Sequence, residues 1–164
     1  MKILLINPPH IQKIGLYPKI VFQPIGLAYV AASLEKEKHE VSILDAIGVA
    51  WQKTSKLDDQ RQITGLTYDE IADYIRKENP RMVGIGAPFT HQAESSFLVA
   101  QTVKQVDSGI VTFIGGAHVT TKPLECLQNP NIDYVVLGEG DHQTVALVKA
   151  IENSAPRDEV TVIE

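Results

Sequence analysis

The amino-acid sequence predicts a three-layer α/β domain in which a five-stranded parallel sheet is covered by helices on both faces. Two observations carry this prediction. Five short runs rich in Ile, Val and Leu recur along the 164 residues, and a helical pattern separates each run from the next. Runs that are apolar nearly throughout are typical of strands buried on both faces. The alternation of strand and helix indicates parallel strands joined by right-handed crossovers.

The predicted strands span residues 2–6, 40–44, 82–85, 110–114 and 134–137. The predicted helices span 25–38, 92–106, 118–127 and 141–152, and a further helix begins after Thr67. Thr67 and Glu70 have the spacing of a capping box, which satisfies free backbone N–H groups at the start of a helix. Strand and helix repeated five times is the order of a Rossmann-like domain.

Two segments do not fit a minimal fold of this kind. Residues 8–23 and 45–66 are long connections, and connections above about 12–15 residues usually carry a function or an additional element. Four interpretations of residues 45–66 stay open: a lid, a short helix, a partner-docking surface or a plain surface insertion. Residues 1–152 are predicted to form the domain, and residues 153–164 a linker.

The composition excludes several classes of function. A net charge of −5 leaves no basic excess to neutralise phosphates, so nucleic-acid binding is not expected. The apolar run after Lys2 stops at Asn7, too early for an export signal, and no run is long enough to span a membrane. We therefore expect a cytoplasmic protein without a membrane partner. The lone cysteine, Cys126, excludes an internal disulfide and a multi-cysteine metal site within these residues.

The candidate ligand site lies at the carboxyl edge of the predicted sheet, where loops diverge and helix N-termini point free N–H groups into a crevice. The loops there span residues 7–10, 86–91, 115–120 and 138–141, and three of the four contain glycine. A tight turn alone explains a single glycine. Gly115-Gly116 and Gly138-x-Gly140 at the same edge also indicate backbone that a bulky ligand approaches closely.

Common nucleotide-binding and catalytic motifs are absent. No G-x-G-x-x-G follows the first strand, so Asp45, placed like a ribose-binding acid, does not by itself indicate a dinucleotide. The sequence also lacks a P-loop, G-x-S-x-G and H-E-x-x-H. His39 is expected at the surface. Four histidines lie near the strand ends without the spacing of a ligand set: His10, His91, His118 and His142.

Five segments form an ordered set of recognisable motifs. They are residues 5–9 (LINPP), 24–32 (PIGLAYVAA), 41–45 (VSILD), 115–120 (GGAHVT) and 133–140 (DYVVLGEG). In this order and spacing they resemble the N-terminal cobalamin-binding domain of the cobalamin-dependent radical S-adenosylmethionine enzymes. The resemblance covers about residues 2–151, nearly the whole chain.

The resemblance implies a flavodoxin-like sheet that holds cobalamin over its carboxyl edge, with the nucleotide tail running down beside the strands. It implies cofactor-binding roles for residues in the matching loops: Asn7, Pro8, Pro9, Gly86, Pro88, Phe89, Thr90, Gly115, Gly116, His118, Thr120, Gly138, Glu139 and Gly140. The Asp-x-His-x-x-Gly signature of other cobalamin domains is absent, and His10 does not have its spacing. Cobalt is therefore expected to bind without a protein histidine, and no metal ligand is assigned.

The resemblance also implies chemistry that this chain alone does not complete. Radical S-adenosylmethionine enzymes hold a four-iron four-sulfur cluster with three closely spaced cysteines, whereas these residues contain one. The expected partner is a radical S-adenosylmethionine domain, in cis or in trans, that supplies the cluster and S-adenosylmethionine. We expect a methyltransferase-type parent enzyme, and assign no catalytic residue to this domain.

Two other functions stay open. One is a non-catalytic docking module of the same fold that has lost the cofactor, since a fold does not determine a function. The other is a domain that senses a flavin or a purine nucleotide. The substitution Gly116→Val is expected to abolish cobalamin binding and to leave the fold intact, whereas a docking module would be indifferent to it.

Overall fold

The computed structural model describes residues 1–15, 21–153 and 162–163. The strands are β1 (Lys2–Asn7), β2 (His10–Lys13), β3 (Glu40–Asp45), β4 (Thr54–Lys56), β5 (Arg61–Thr64), β6 (Met82–Gly86), β7 (Val111–Gly115), β8 (Tyr134–Val136) and β9 (Val162–Ile163). The helices are α1 (Ile25–Lys36), α2 (Tyr68–Glu78), α3 (Ala93–Val106), α4 (Ala117–Thr121), α5 (Pro123–Leu127) and α6 (Gly140–Glu152). Single-turn 3₁₀ helices lie at Gly48–Ala50 and Thr90–Gln92.

The main sheet is parallel and confirms the predicted α/β fold. Its strand order is β3-β1-β6-β7-β8-β9, and Ile6 of β1 lies beside Leu44 of β3 on one side and Ile85 of β6 on the other. The first five strands in this order form a flavodoxin-like sheet. The chain builds one edge after β1 and returns at β6 to build the other, so the topological switch point lies between β1 and β6.

A sixth strand extends this sheet beyond the prediction. β9 pairs in parallel with β8, and Val162 lies beside Val135. A two-residue strand has no pattern that distinguishes it from a linker, so the sequence does not predict it. Residues 154–161 and 164 of the predicted linker lie outside the described residues.

Helices cover both faces of the main sheet because successive side chains of a strand point to opposite faces. Leu4 and Ile6 pack with buried residues of α2 and α3. Ile3 and Leu5 pack with α1 and α6, where Leu34 and Leu147 are fully buried. The result is the predicted three-layer arrangement. None of the described helices has the length and apolar composition of a membrane span.

The two long connections form a second, antiparallel sheet with the strand order β2-β5-β4. Arg61 of β5 pairs with Glu94 in the first turn of α3 at 2.6 Å, and Lys53 pairs with Glu70 in the first turn of α2 at 2.5 Å. The small sheet therefore lies against the starts of α2 and α3. Its strands are short and mostly polar, and therefore lack the apolar runs by which the main strands were predicted.

Two local predictions had different outcomes. The capping box is confirmed, since the Thr67 hydroxyl accepts from the Glu70 N–H at 3.3 Å and the Glu70 carboxylate accepts from the Thr67 N–H at 2.8 Å. The surface position of His39 is wrong. Its side chain is 7% exposed, and Nδ1 lies 3.0 Å from the amino group of Met1, which follows from its position beside the start of β1.

The loops after β6 and β7 are in backbone contact. Gly116 has a φ of 124°, and a Cβ at this residue would lie 2.7 Å from the carbonyl oxygen of Ala87. The His118 N–H donates to the same carbonyl at 3.2 Å. Gly116 is therefore part of the packing of the fold, and Gly116→Val would strain the backbone. The expectation that this substitution leaves the fold intact is wrong.

We predict opposite effects for alanine at two adjacent glycines. Gly116→Ala should lower the free energy of unfolding by about 1–3 kcal/mol, because it combines an unfavourable φ with a backbone clash. Gly115→Ala should leave it unchanged or raise it by up to about 1 kcal/mol, because its Cβ would make ordinary contacts at 3.6 Å with Val136. Urea unfolding of both variants measures the difference, and equal midpoints would contradict the backbone contact.

Candidate functional site

A groove of about 270 Å³ opens at the carboxyl edge of the main sheet, between α1 and α6. It lies on the face of the sheet opposite to α2, α3 and the small sheet. The residues that line it are Asn7, Pro24, Gly26, Leu27, Val30, Ile85, Gly86, Ala87, Pro88, Phe113, Gly115, Gly116, Val136, Gly138, Glu139, Gly140 and Thr144.

The floor of the groove forms where β6 and β7 carry glycine. Gly86 and Gly115 are paired across these strands. A Cβ at Gly86 would make ordinary contacts at 3.7–3.8 Å with the Ile6 carbonyl and the Leu27 side chain, so the fold itself does not require glycine there. Lower in β6, Gly84 leaves room for the Phe113 ring, which a Cβ at that position would overlap. Gly86 and Gly115 therefore form the floor of the groove, and Gly84 leaves the space that the Phe113 ring fills beneath it.

The walls of the groove are the facing sides of α1 and α6. Leu27 and Val30 line it from α1, and Thr144 lines it from α6. A Cβ at Gly140 would lie 3.2 Å from Cγ2 of Val30, which is closer than most side-chain contacts. Because Gly140 has no side chain, the start of α6 can lie this close to Val30 of α1.

The mouth of the groove presents backbone N–H groups. α1 begins after Pro24 and α6 begins after Glu139, and neither helix has a side-chain hydrogen bond at its N-cap. The first-turn N–H groups of a helix lack partners within the helix. Two of them have other partners, since the Ile25 N–H donates to the Gln23 carbonyl and the His142 N–H donates to the Asp141 carboxylate, each at 2.8 Å. The remaining first-turn N–H groups are available to a polar or anionic group of a ligand at this edge.

Two adjacent serines of α3 hold the loops at this edge from the other side of the sheet. The Ser95 hydroxyl donates to the carbonyl of Pro9 at 2.5 Å and lies 3.1 Å from the hydroxyl of Tyr68. The Ser96 hydroxyl donates to the carbonyl of Gly86 at 2.8 Å. The loop after β1 and the end of β6 are thereby fixed to the same turn of one helix.

The structure brings eight of the fourteen predicted cofactor-binding residues together around the groove: Asn7, Gly86, Pro88, Gly115, Gly116, Gly138, Glu139 and Gly140. Thr120 does not line the groove, but it joins two of its loops. Its hydroxyl accepts from the Gly138 N–H at 3.1 Å and donates to the Gly116 carbonyl at 3.3 Å.

The other predicted residues lie outside the groove. Pro8 and Pro9 are buried. Phe89 is exposed and stacks on His91 with a centroid distance of 5.5 Å. The His118 ring is 1% exposed and contacts the edge of Phe97, with Nδ1 3.4 Å from the Thr90 hydroxyl. His118 therefore reaches the groove through its backbone contact with Ala87 and not through its ring.

Polar groups at the edge are joined around Asp45. Its carboxylate accepts from the Asn7 side-chain amide at 2.8 Å and from the Gly48 N–H at 3.0 Å. Burial and the neighbouring His91 lower the pKa of His10 and favour its neutral form, although Asp45 opposes the shift. Within the described residues, no three His, Cys, Asp or Glu side chains are arranged to hold a metal ion.

Several residues of the groove were not predicted as site residues: Gly26, Leu27, Val30, Phe113, Val136 and Thr144. Leu27, Val30, Phe113 and Val136 occupy apolar positions of their helices and strands, which the sequence pattern assigns to the core. The signal that was available is Gly84-x-Gly86 within an otherwise apolar strand, since glycine inside a strand marks a close approach by another group.

Comparison with known proteins agrees with this architecture. The family model described as the B12 binding domain matches residues 13–148. Cytidylyl-2-hydroxyethylphosphonate methyltransferase of Streptomyces wedmorensis is 34% identical over 161 residues, which cover 97% of this chain and 30% of that protein. An uncharacterized methyltransferase of Pyrococcus horikoshii is 35% identical over 152 residues, covering 92% of this chain and 29% of that protein.

A third relative is the anaerobic magnesium-protoporphyrin IX monomethyl ester cyclase of Synechocystis, which is 26% identical over 155 residues, covering 93% of this chain and 28% of the cyclase. The chain therefore spans about 30% of the length of the curated relatives it matches. The resemblance inferred from the sequence motifs is confirmed: the chain belongs to the B12-binding domain family.

Proposed function

We propose that this domain binds cobalamin at the carboxyl edge of its main sheet and places the nucleotide tail of the cofactor in the groove between α1 and α6. The observation that carries the proposal is the paired glycine floor at Gly86 and Gly115. An apolar groove with few polar groups at its mouth is the form of site that binds a cofactor of this size. Leu27, Val30 and Phe113 would shield the base of the tail from water.

The corrin ring is too broad and too polar at its rim for this groove. We place it over the strand ends, where Asn7, Pro88 and Glu139 border the mouth. The uncapped N–H groups of α1 and α6 would donate to the polar groups that link ring and tail. When bound, cobalamin supplies a cobalt centre that carries a methyl group or reacts itself.

The full-length parent is proposed to be a cobalamin-dependent radical S-adenosylmethionine enzyme of the methyltransferase type. Two of the relatives named above are methyltransferases, and each extends well beyond the matched region. The four-iron cluster and S-adenosylmethionine would be held by a separate domain. Burial raises the pKa of Cys126, the lone cysteine here, to about 11, which makes it a poor metal ligand or nucleophile.

Cobalamin binding and its position are tested with one variant and its control. The purified chain is incubated anaerobically with hydroxocobalamin, desalted and measured by visible absorption. The wild type should retain the cofactor. Gly86→Leu should weaken binding at least about tenfold, because its side chain would occupy the groove beside Leu27. The control Ala146→Leu adds a side chain to the exposed face of α6 and should bind normally.

A colourless wild type at saturating cofactor would overturn the proposal and favour the docking module. Retention of the cofactor by Gly86→Leu, with a fold shown to be intact by circular dichroism, would place the tail elsewhere.

A second prediction concerns the cobalt ligand. We propose that His10 does not coordinate cobalt, since it belongs to β2 of the small sheet and interacts electrostatically with His91 and Asp45. The electron paramagnetic resonance spectrum of bound cob(II)alamin should therefore show no nitrogen coupling from the protein. His10→Ala should leave that spectrum unchanged. A nitrogen coupling that this substitution removes would identify His10 as a ligand.

A further inference from the structure

Thr144 places a hydroxyl inside the groove without a hydrogen-bond partner. The residue is 1% exposed and lines the groove together with Leu27, Val30 and Phe113. No hydrogen bond of its hydroxyl occurs among the described residues. The hydroxyls of the other serines and threonines that are at most 5% exposed each make a hydrogen bond. These residues are Thr64, Ser95, Ser96, Thr102 and Thr112.

The Thr144 hydroxyl also differs from the hydroxyls of the other threonines in helices, which make hydrogen bonds within their helix. Thr102, Thr120 and Thr121 each donate to the carbonyl four residues earlier, at 2.8, 3.3 and 3.1 Å. Thr144 does not make the equivalent bond to Gly140, although it lies in the first turns of α6. Among the described residues, the fully enclosed side-chain atoms without a partner are Ser42 Oγ, His118 Nε2 and Gln143 Oε1, and the Thr144 hydroxyl is not one of them. The Thr144 oxygen is therefore accessible from the groove that the residue lines. In a groove open to a ligand, the missing partner is supplied when the ligand binds.

We propose that Thr144 is a specificity-determining residue that hydrogen-bonds a free ring nitrogen of the base at the end of the nucleotide tail. This inference rests on the proposed function, which places that base in the groove. The hydroxyl either donates to or accepts from the nitrogen, since a threonine does both. The side chains around it, Leu27, Val30, Phe113 and Val136, are apolar.

The proposal specifies the chemical class of the base. One hydroxyl within apolar walls matches a bicyclic base that has a single free ring nitrogen and is otherwise apolar, such as a benzimidazole. A phenolic base has no ring nitrogen and leaves Thr144 unpaired. A purine brings several polar atoms that the apolar walls leave unpaired. Sites that pair a buried polar group reject analogues that lack the partner.

The experiment measures binding of three corrinoids to the full chain: one with a benzimidazole base, one with a phenolic base, and cobinamide, which has no base. Thr144→Val should weaken binding of the benzimidazole form by about 5- to 10-fold and leave the other two unchanged. Thr144→Ser keeps the hydroxyl and should retain the preference. The control Thr121→Val removes an exposed hydroxyl outside the groove and should have no effect.

The melting temperature of the apoprotein separates recognition from a structural role. Thr144→Val removes an unpaired buried hydroxyl, so its melting temperature should be equal to or higher than that of the wild type. Equal weakening of all three corrinoids, or unchanged binding of the benzimidazole form, would overturn the inference. Failure of the wild type to bind any corrinoid would instead overturn the proposed function.

Discussion

At the carboxyl ends of β6 and β7 the surface of the main sheet drops by the height of a side chain, because Gly86 and Gly115 stand side by side there. α1 and α6 do not move closer to the sheet at this point. They rest on the larger residues lower in the strands, where Leu34 and Leu147 are fully buried. The groove is therefore the space that remains between a floor without side chains and two helices supported below it. The floor of the groove forms without strained backbone at Gly86 and Gly115, and no segment has to move to open it.

The two faces of the sheet are used differently. On the face of α2 and α3, Ser95 and Ser96 bind loop carbonyls, and the small sheet is tied to the helix starts by ion pairs. That face is closed and fixes the positions of the loops. The face of α1 and α6 stays open at the same edge. The hydrogen bonds and ion pairs on one face thus position the strand ends for the open face, which is a suitable arrangement for a preformed binding site.

The parts that the sequence predicts well are those with a strong pattern. The five main strands are continuous apolar runs, and the α2 start is marked by Thr67 and Glu70. The small sheet was not predicted because its strands are short and mostly polar, and because β2 is distant along the chain from its partner β5. Thr144 was missed because the same helix face belongs to the core at Leu147 and to the groove one turn earlier. The local sequence does not show at which residue this face of α6 leaves the core and begins to line the groove.

The contact between α6 and α1 has a consequence for the evolution of such domains. Because a Cβ at Gly140 would lie 3.2 Å from Val30, a larger residue there would push the helices apart or fill the space between them, while the strands keep their positions. A single substitution at this position would therefore narrow the groove and preserve the sheet. Within a set of homologous chains, the residue at this position would separate those that keep the opening from those that only keep the architecture.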